Sequence, residues 1–175
     1  MTRAVAVVLG IFGLFWTWAS RPVTTGELAV AHISTRIGAF APSFTVAAPA
    51  NGLVALENFK GKVVVLNFWA SWCPPCRAEM AALNQVKSDY EGRDVVVLAI
   101  NQMEPEQTAV GFVQEQHLEF VVGLDTDGHV TELYRVSALP TTYFIDKTGI
   151  IRDIVYGGPM TRPLVESKVN SILDH

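Results

Sequence analysis

Two kinds of apolar pattern divide this chain. Ala4 to Ser20 is a seventeen-residue run without a charge, bracketed by Arg3 and Arg21. As a helix rising about 1.5 Å per residue it reaches roughly 25 Å, the short end of a membrane span. Val23 to Arg36 has no sustained period and reads as a tether, so residues 1–21 form an expected anchor and 22–36 a linker. From Ile37 onward, short apolar runs and helical patterns alternate over one expected domain, residues 37–175. Ser43–Val46 and Leu53–Leu56 flank the turn dipeptide Asn51-Gly52, which predicts an N-terminal β-hairpin. The unbroken run Val63–Trp69 predicts a strand buried on both faces.

Pro74-Pro75 can open a helix, because first-turn N–H groups need no internal partner. Cys76, Met80, Leu83, Val86 and Tyr90 then share one helical face, and Glu91-Gly92-Arg93-Asp94 ends the element. Val95–Ile100 reads as a second buried strand, Thr108–His117 as a helix, Phe120–Leu124 as a strand and Val130–Tyr134 as a short helix. Thr142–Ile145 and Ile150–Tyr156 flank the hairpin turn Asp146-Lys147-Thr148-Gly149, and Leu164 to Leu173 carries a final amphipathic helix. This order predicts an α/β fold, a mixed central sheet with helices on both faces.

Composition narrows the class. The 175 residues leave room for one domain plus a tail. Half are hydrophobic and 17% charged, which excludes a disordered chain. A net charge of −4 without a basic run argues against nucleic acid as a partner, because phosphate binding needs clustered Lys and Arg. Arg3 and the amino terminus place positive charge before the apolar run, and Trp16 and Trp18 stand where an aromatic belt forms on its far side. The expectation is a single-pass segment in the cytoplasmic membrane through residues 4–20, with the C-terminal domain on the periplasmic or extracytoplasmic side. A cleaved leader is the competing reading, with Thr17-Trp18-Ala19 as a weak cleavage pattern; both readings export the domain.

The chemistry sits in Trp72-Cys73-Pro74-Pro75-Cys76, which holds both cysteines of the chain. As a staple this pair is poorly placed, since a four-residue loop gives about 2 kcal/mol against about 4.7 for a 100-residue loop. Zinc lacks two further ligands, as His32, His117, His129 and His175 are scattered, and covalent haem needs a His where Arg77 stands. A dithiol that opens and closes remains. Cys73 precedes a helix, whose free N–H groups and dipole favour a thiolate. Pro74 and Pro75 offer no N–H, so that stabilisation is modest and the couple comparatively reducing.

Val64 to Met80, with Trp72-Cys73-Pro74-Pro75-Cys76 at its centre, resembles the active-site segment of the TlpA/ResA-like thiol-disulfide oxidoreductases, exported and membrane-anchored thioredoxin-like proteins. Leu139-Pro140-Thr141-Thr142-Tyr143-Phe144-Ile145-Asp146 resembles their second signature, which carries a cis-proline facing the disulfide. The resemblance spans about residues 37 to 173 and implies a thioredoxin fold with an inserted helix and strand at Thr108–Leu124. It also implies that Cys73 is the exposed nucleophile and Cys76 the buried resolving thiol. Trp72, Pro74, Leu139 and Pro140 become the substrate-binding set, with no metal and no cofactor beyond the redox disulfide. Two departures stand out. Thioredoxin's buried Asp is replaced by Asn67, and Pro74 stands where some relatives place a Glu between the cysteines.

Glu104 matches a family acidic residue and is a candidate to move the proton of the buried thiol, with a solvated helix-end charge as the alternative. Glu79 and Arg77 read as a solvated helix face. By resemblance the protein is a reductant of exported disulfide-containing proteins, apocytochrome c among them, supplied by a transmembrane thiol-electron donor. A redoxin-type peroxidase is one alternative, although the Thr it needs three residues before its attacking Cys is replaced by Cys73. A copper-delivery module is the other, and it calls for a different Cys spacing and a partnered His.

Overall fold

The computed structural model describes residues 35–50 and 52–173. The expected anchor, most of the expected linker and Asn51 lie outside the described residues. Among the described residues no helix is long and apolar enough to cross a membrane.

The strands are β1 (Thr45–Ala48), β2 (Gly52–Ala55), β3 (Val63–Trp69), β4 (Val95–Gln102), β5 (Val121–Asp125), β6 (Thr141–Ile145) and β7 (Ile151–Tyr156). The helices are α1 (Pro74–Asp89), α2 (Glu106–Glu115), α3 (His129–Leu133) and α4 (Arg162–Leu173). The sheet runs β2-β1-β5-β4-β3-β6-β7. β3, β4 and β5 are parallel, while β6 lies antiparallel to β3 and β7 antiparallel to β6. This is a thioredoxin-like α/β fold with a mixed seven-stranded sheet, and the expected inserted helix and strand are α2 and β5.

β3 is central, and all seven of its residues are buried. Val63, Val65 and Trp69 pack with Met80, Leu83 and Val86 of α1, Phe112 of α2 and Val165 and Val169 of α4. Val64, Leu66 and Phe68 face the other way, toward Phe44, Tyr134 and Tyr143. A strand covered on both sides has no polar face, which is why its sequence does not alternate. The two faces are covered unequally. Among the described residues three helices share the Trp69 side, and the far side has the five-residue α3, with Phe44, Leu56 and Phe59 filling in.

Several boundaries differ from the pattern-based expectation. β1 lies at Thr45–Ala48 rather than Ser43–Val46, and its partner stops at Ala55. Leu56 instead opens a 3₁₀ turn through Phe59, where Asn58 Oδ1 accepts the Ala55 N–H at 2.8 Å. α2 starts two residues early, at Glu106, because Pro105 (φ −58°) supplies its N-cap. At the β6–β7 turn, Gly149 has φ +90°, and Asp146 Oδ1 accepts from the Thr148 N–H (2.8 Å), the Thr148 hydroxyl (2.7 Å) and the Ile150 N–H (3.0 Å). Arg152 donates to Oδ2 at 2.5 Å.

Burial pushes the Asp146 carboxyl up, but the bonds from Thr148, Ile150 and Arg152 outweigh it and hold the pKa below the ordinary 3.8. A depressed carboxylate stabilises the fold above its unfolded pKa, and that contribution disappears as pH falls through the folded value. Asp146→Ala is expected to cost about 2 kcal/mol at neutral pH. The difference from the parent should shrink in acid, as measured by urea unfolding across the pH range.

Candidate active site

The chain leaves β3 at Trp69, turns through Ala70–Trp72, and enters α1 with Cys73 as its N-cap. Cys73 has extended backbone (φ −87°, ψ 108°), and its Sγ accepts the Cys76 N–H at 3.3 Å. Pro74 and Pro75 take the first helical positions, where a missing N–H costs nothing. Cys73 and Cys76 form a disulfide with Cα atoms 5.3 Å apart. Cys76 is fully buried. Cys73 is not exposed in this oxidised state as the resemblance implied; its accessibility is 3%, with its Sγ against the helix end where the Cys76 N–H points.

The expected substrate-binding residues gather around this pair. Trp72 is 68% exposed beside it, Pro74 is exposed and Leu139 half-buried. Pro140 is buried, and the Leu139–Pro140 bond is cis. Thr141, the next residue, pairs with Phe68 on β3, so Pro140 stands level with the end of that strand. Gly157 donates its N–H to the Pro140 carbonyl at 2.8 Å, bringing the Gly157–Thr161 segment alongside.

Glu79 overturns the expectation of a solvated helix face. Its side chain is fully buried; Oε1 accepts from Asn67 Nδ2 at 2.8 Å and Oε2 from the Met160 N–H at 2.9 Å. Asn67 Nδ2 also donates to Thr142 Oγ1 at 2.8 Å. A Cβ at position 158 would come 2.7 Å from Pro140 Cγ and 2.8 Å from Glu79 Oε2, so only glycine fits between them. Burial pushes the Glu79 pKa above the ordinary 4.5, against the two N–H groups, which lower it. The signal was present in the spacing. Glu79 lies three residues beyond Cys76, on the face that carries Met80 and Leu83 inward. Arg77 does stay exposed, its guanidinium 5.3 Å from the Phe112 ring centroid.

Glu104 is also buried, but under the turn before the cysteines. Its Oε2 accepts the Ser71 N–H (2.7 Å) and Asn101 Nδ2 (2.6 Å), and its Oε1 accepts the Ser71 hydroxyl (2.5 Å). These bonds tie the end of β4 to the turn carrying Trp72, and the solvated alternative is excluded. Asp125, Asp127 and His129 also come together, yet Asp125 is occupied in capping α3 through the N–H groups of Val130 and Thr131 and the Thr131 hydroxyl.

The arrangement is a disulfide at a helix N-terminus, beside the exposed Trp72 and Pro74, with a buried carboxylate one helical turn further along the helix. Residues 37–154 match the AhpC/TSA family. The thiol-disulfide oxidoreductase ResA of Oceanobacillus iheyensis is 36% identical over 141 residues, covering 78% of this chain and 73% of that protein. ResA of Geobacillus kaustophilus is 35% identical over 136 residues, covering 78% of each. Among solved structures, a Chlorobium tepidum protein described as a thiol:disulfide interchange protein DsbE has a TM-score of 0.75 at 33% identity, covering 80% of this chain and 99% of its own. StoA from Bacillus subtilis has a TM-score of 0.64 at 25% identity, covering 73% and 96%. The chain belongs to the AhpC/TSA family of thioredoxin-like proteins and, like these relatives, is a thiol-disulfide oxidoreductase.

Proposed function

We propose that this protein reduces disulfides of exported proteins while tethered to the cytoplasmic membrane through residues 4–20. The observation that carries the reductase reading is the Cys73–Cys76 pair at the start of α1, flanked by Trp72 and Pro140, with Glu79 buried beneath it. In the reduced protein the Cys73 thiolate attacks a substrate disulfide. A mixed disulfide forms and one substrate thiolate leaves. Cys76 then gives up its proton, and its sulfur attacks Cys73 Sγ. The second substrate thiolate is expelled, and two electrons have passed from the dithiol to the substrate.

Glu79 is the group placed to take the Cys76 proton. It sits one helical turn away on the same face, out of bulk water, and burial raises its pKa above the ordinary 4.5. Glu104 acts at one remove, as a positioning residue that fixes the Ser71–Trp72 turn. Support for a reducing direction comes from Pro74 and Pro75, which leave few donors for a Cys73 thiolate. A transmembrane thiol donor would return the two electrons, and apocytochrome c cysteine pairs are one proposed substrate. Both belong to this proposal together with the extracytoplasmic location, whose support is the charge-free run after Arg3.

Three outcomes test these roles. Cys76→Ser should accumulate mixed disulfides with client proteins and Cys73→Ser should not, as read on non-reducing gels; the reverse would exchange the two assignments. Glu79→Gln should slow resolution of the mixed disulfide about 100-fold near neutral pH. Because folding raises its pKa, Glu79 weakens the native state as pH climbs above 4.5, so the variant should lose less stability than the parent as pH rises through the folded pKa of Glu79. Glu104→Gln places an NH₂ against a donor and should cost about 1–3 kcal/mol in denaturant unfolding. It should slow exchange by a similar factor at every pH; a shifted pH profile would instead put Glu104 on the proton route.

A further inference from the structure

Met103 has a backbone φ of +49°, in the left-handed region that L-residues other than Gly, Asn and Asp avoid. His117 follows the end of α2 and Arg135 follows α3, positions where helices commonly end in this conformation. Met103 has no such reason, since it joins a strand to a helix. The conformation is nevertheless well held. The Met103 N–H donates to the Asp125 carbonyl at 2.9 Å, and the neighbouring Glu104 is tied to Ser71 and Asn101. The thioether rests on Gly128, where a Cβ would come 2.9 Å from Sδ. The side chain is therefore placed, yet it is 59% exposed.

Its position is informative. Asn101 pairs with Trp69, and Glu104 binds Ser71, so Met103 stands beside the turn that carries Trp72 into the disulfide. Trp72 (68% exposed) and Tyr156 (62%), which pairs with Thr141 next to Pro140, are exposed at the same end of the sheet. Backbone strain of this kind persists where the surroundings over-determine it, and it collects at functional sites. We infer that Met103 is a specificity-determining residue: its fixed, exposed thioether receives an apolar side chain flanking the cysteine of a polypeptide disulfide. This rests on the disulfide-exchange reading above. Methionine suits the task, because an unbranched polarizable chain adapts to varied apolar partners.

The test compares two oxidised peptides that differ only in a Leu or a Ser beside the reactive cysteine. The parent should favour the Leu peptide about tenfold in kcat/KM, which corresponds to about 1.4 kcal/mol. Met103→Gly and Met103→Asn both tolerate the left-handed backbone and should bring that ratio close to one, whereas Met103→Leu should retain it. An unchanged ratio in the Gly and Asn variants, or no preference in the parent, overturns the inference. Damage to the loop alone would slow both peptides equally and leave the ratio intact, which also overturns it. Hydroxyethyl disulfide serves as a minimal substrate: a parent that reduces neither it nor the peptides refutes the exchange reading itself, and this inference with it.

Discussion

The buried carboxylate of Glu79 joins the three parts of the fold that make the site. It belongs to α1, accepts from Asn67 on β3, and accepts from the Met160 backbone in the segment that packs Gly158 against Pro140. Removing a carboxylate from water is expensive, and two N–H donors offset only part of that, so its proton affinity rises. The same burial holds the helix that carries Cys76 in register with the strand below and the loop beside it. A structural tie and the proposed proton acceptor are thus one side chain.

Glu104 shows what a second buried carboxylate does when its partners differ. Three charge-assisted hydrogen bonds leave it committed to Ser71 and Asn101. It sets the turn that leads from β3 into the disulfide, and the adjacent Met103 inherits its unusual backbone from the same loop. Glu79 beyond the cysteines and Glu104 behind the turn therefore differ in their partners: one ties α1 to β3 and the Met160 segment, the other ties the end of β4 to the turn before the cysteines.

Both depend on β3 being central. Because its neighbours β4 and β6 cover its edges and packed layers cover its faces, the end of β3 is a rigid platform. The turn and the start of α1 are built on it. The helix N-terminus then holds the cysteines just beneath the exposed Trp72 and Pro74, while Met80, Leu83 and Val86 anchor the rest of α1 in the core. The parallel register of β3 and β4 brings Glu104 level with Ser71, and the antiparallel register of β6 brings Pro140 to the same end.

Local chemistry alone determined a good deal. The near-continuous apolar run Val63–Trp69 defined the central strand to the residue, because two-sided burial favours apolar residues on both faces. Pro74-Pro75 marked the helix start, and Cys73-Pro74-Pro75-Cys76 named the redox chemistry, since a pair three residues apart serves poorly as a staple. Tertiary structure decided the rest. Glu79 looked like a surface charge because carboxylates are seldom buried, and only donors from residues 67 and 160 make that burial tolerable. Glu104 stood equally well as a solvated charge until its bonds to Ser71, thirty-three residues away, placed it. Helical spacing can mark which face turns inward, but whether a charge there finds partners depends on contacts between segments far apart in the chain, and no local pattern encodes those.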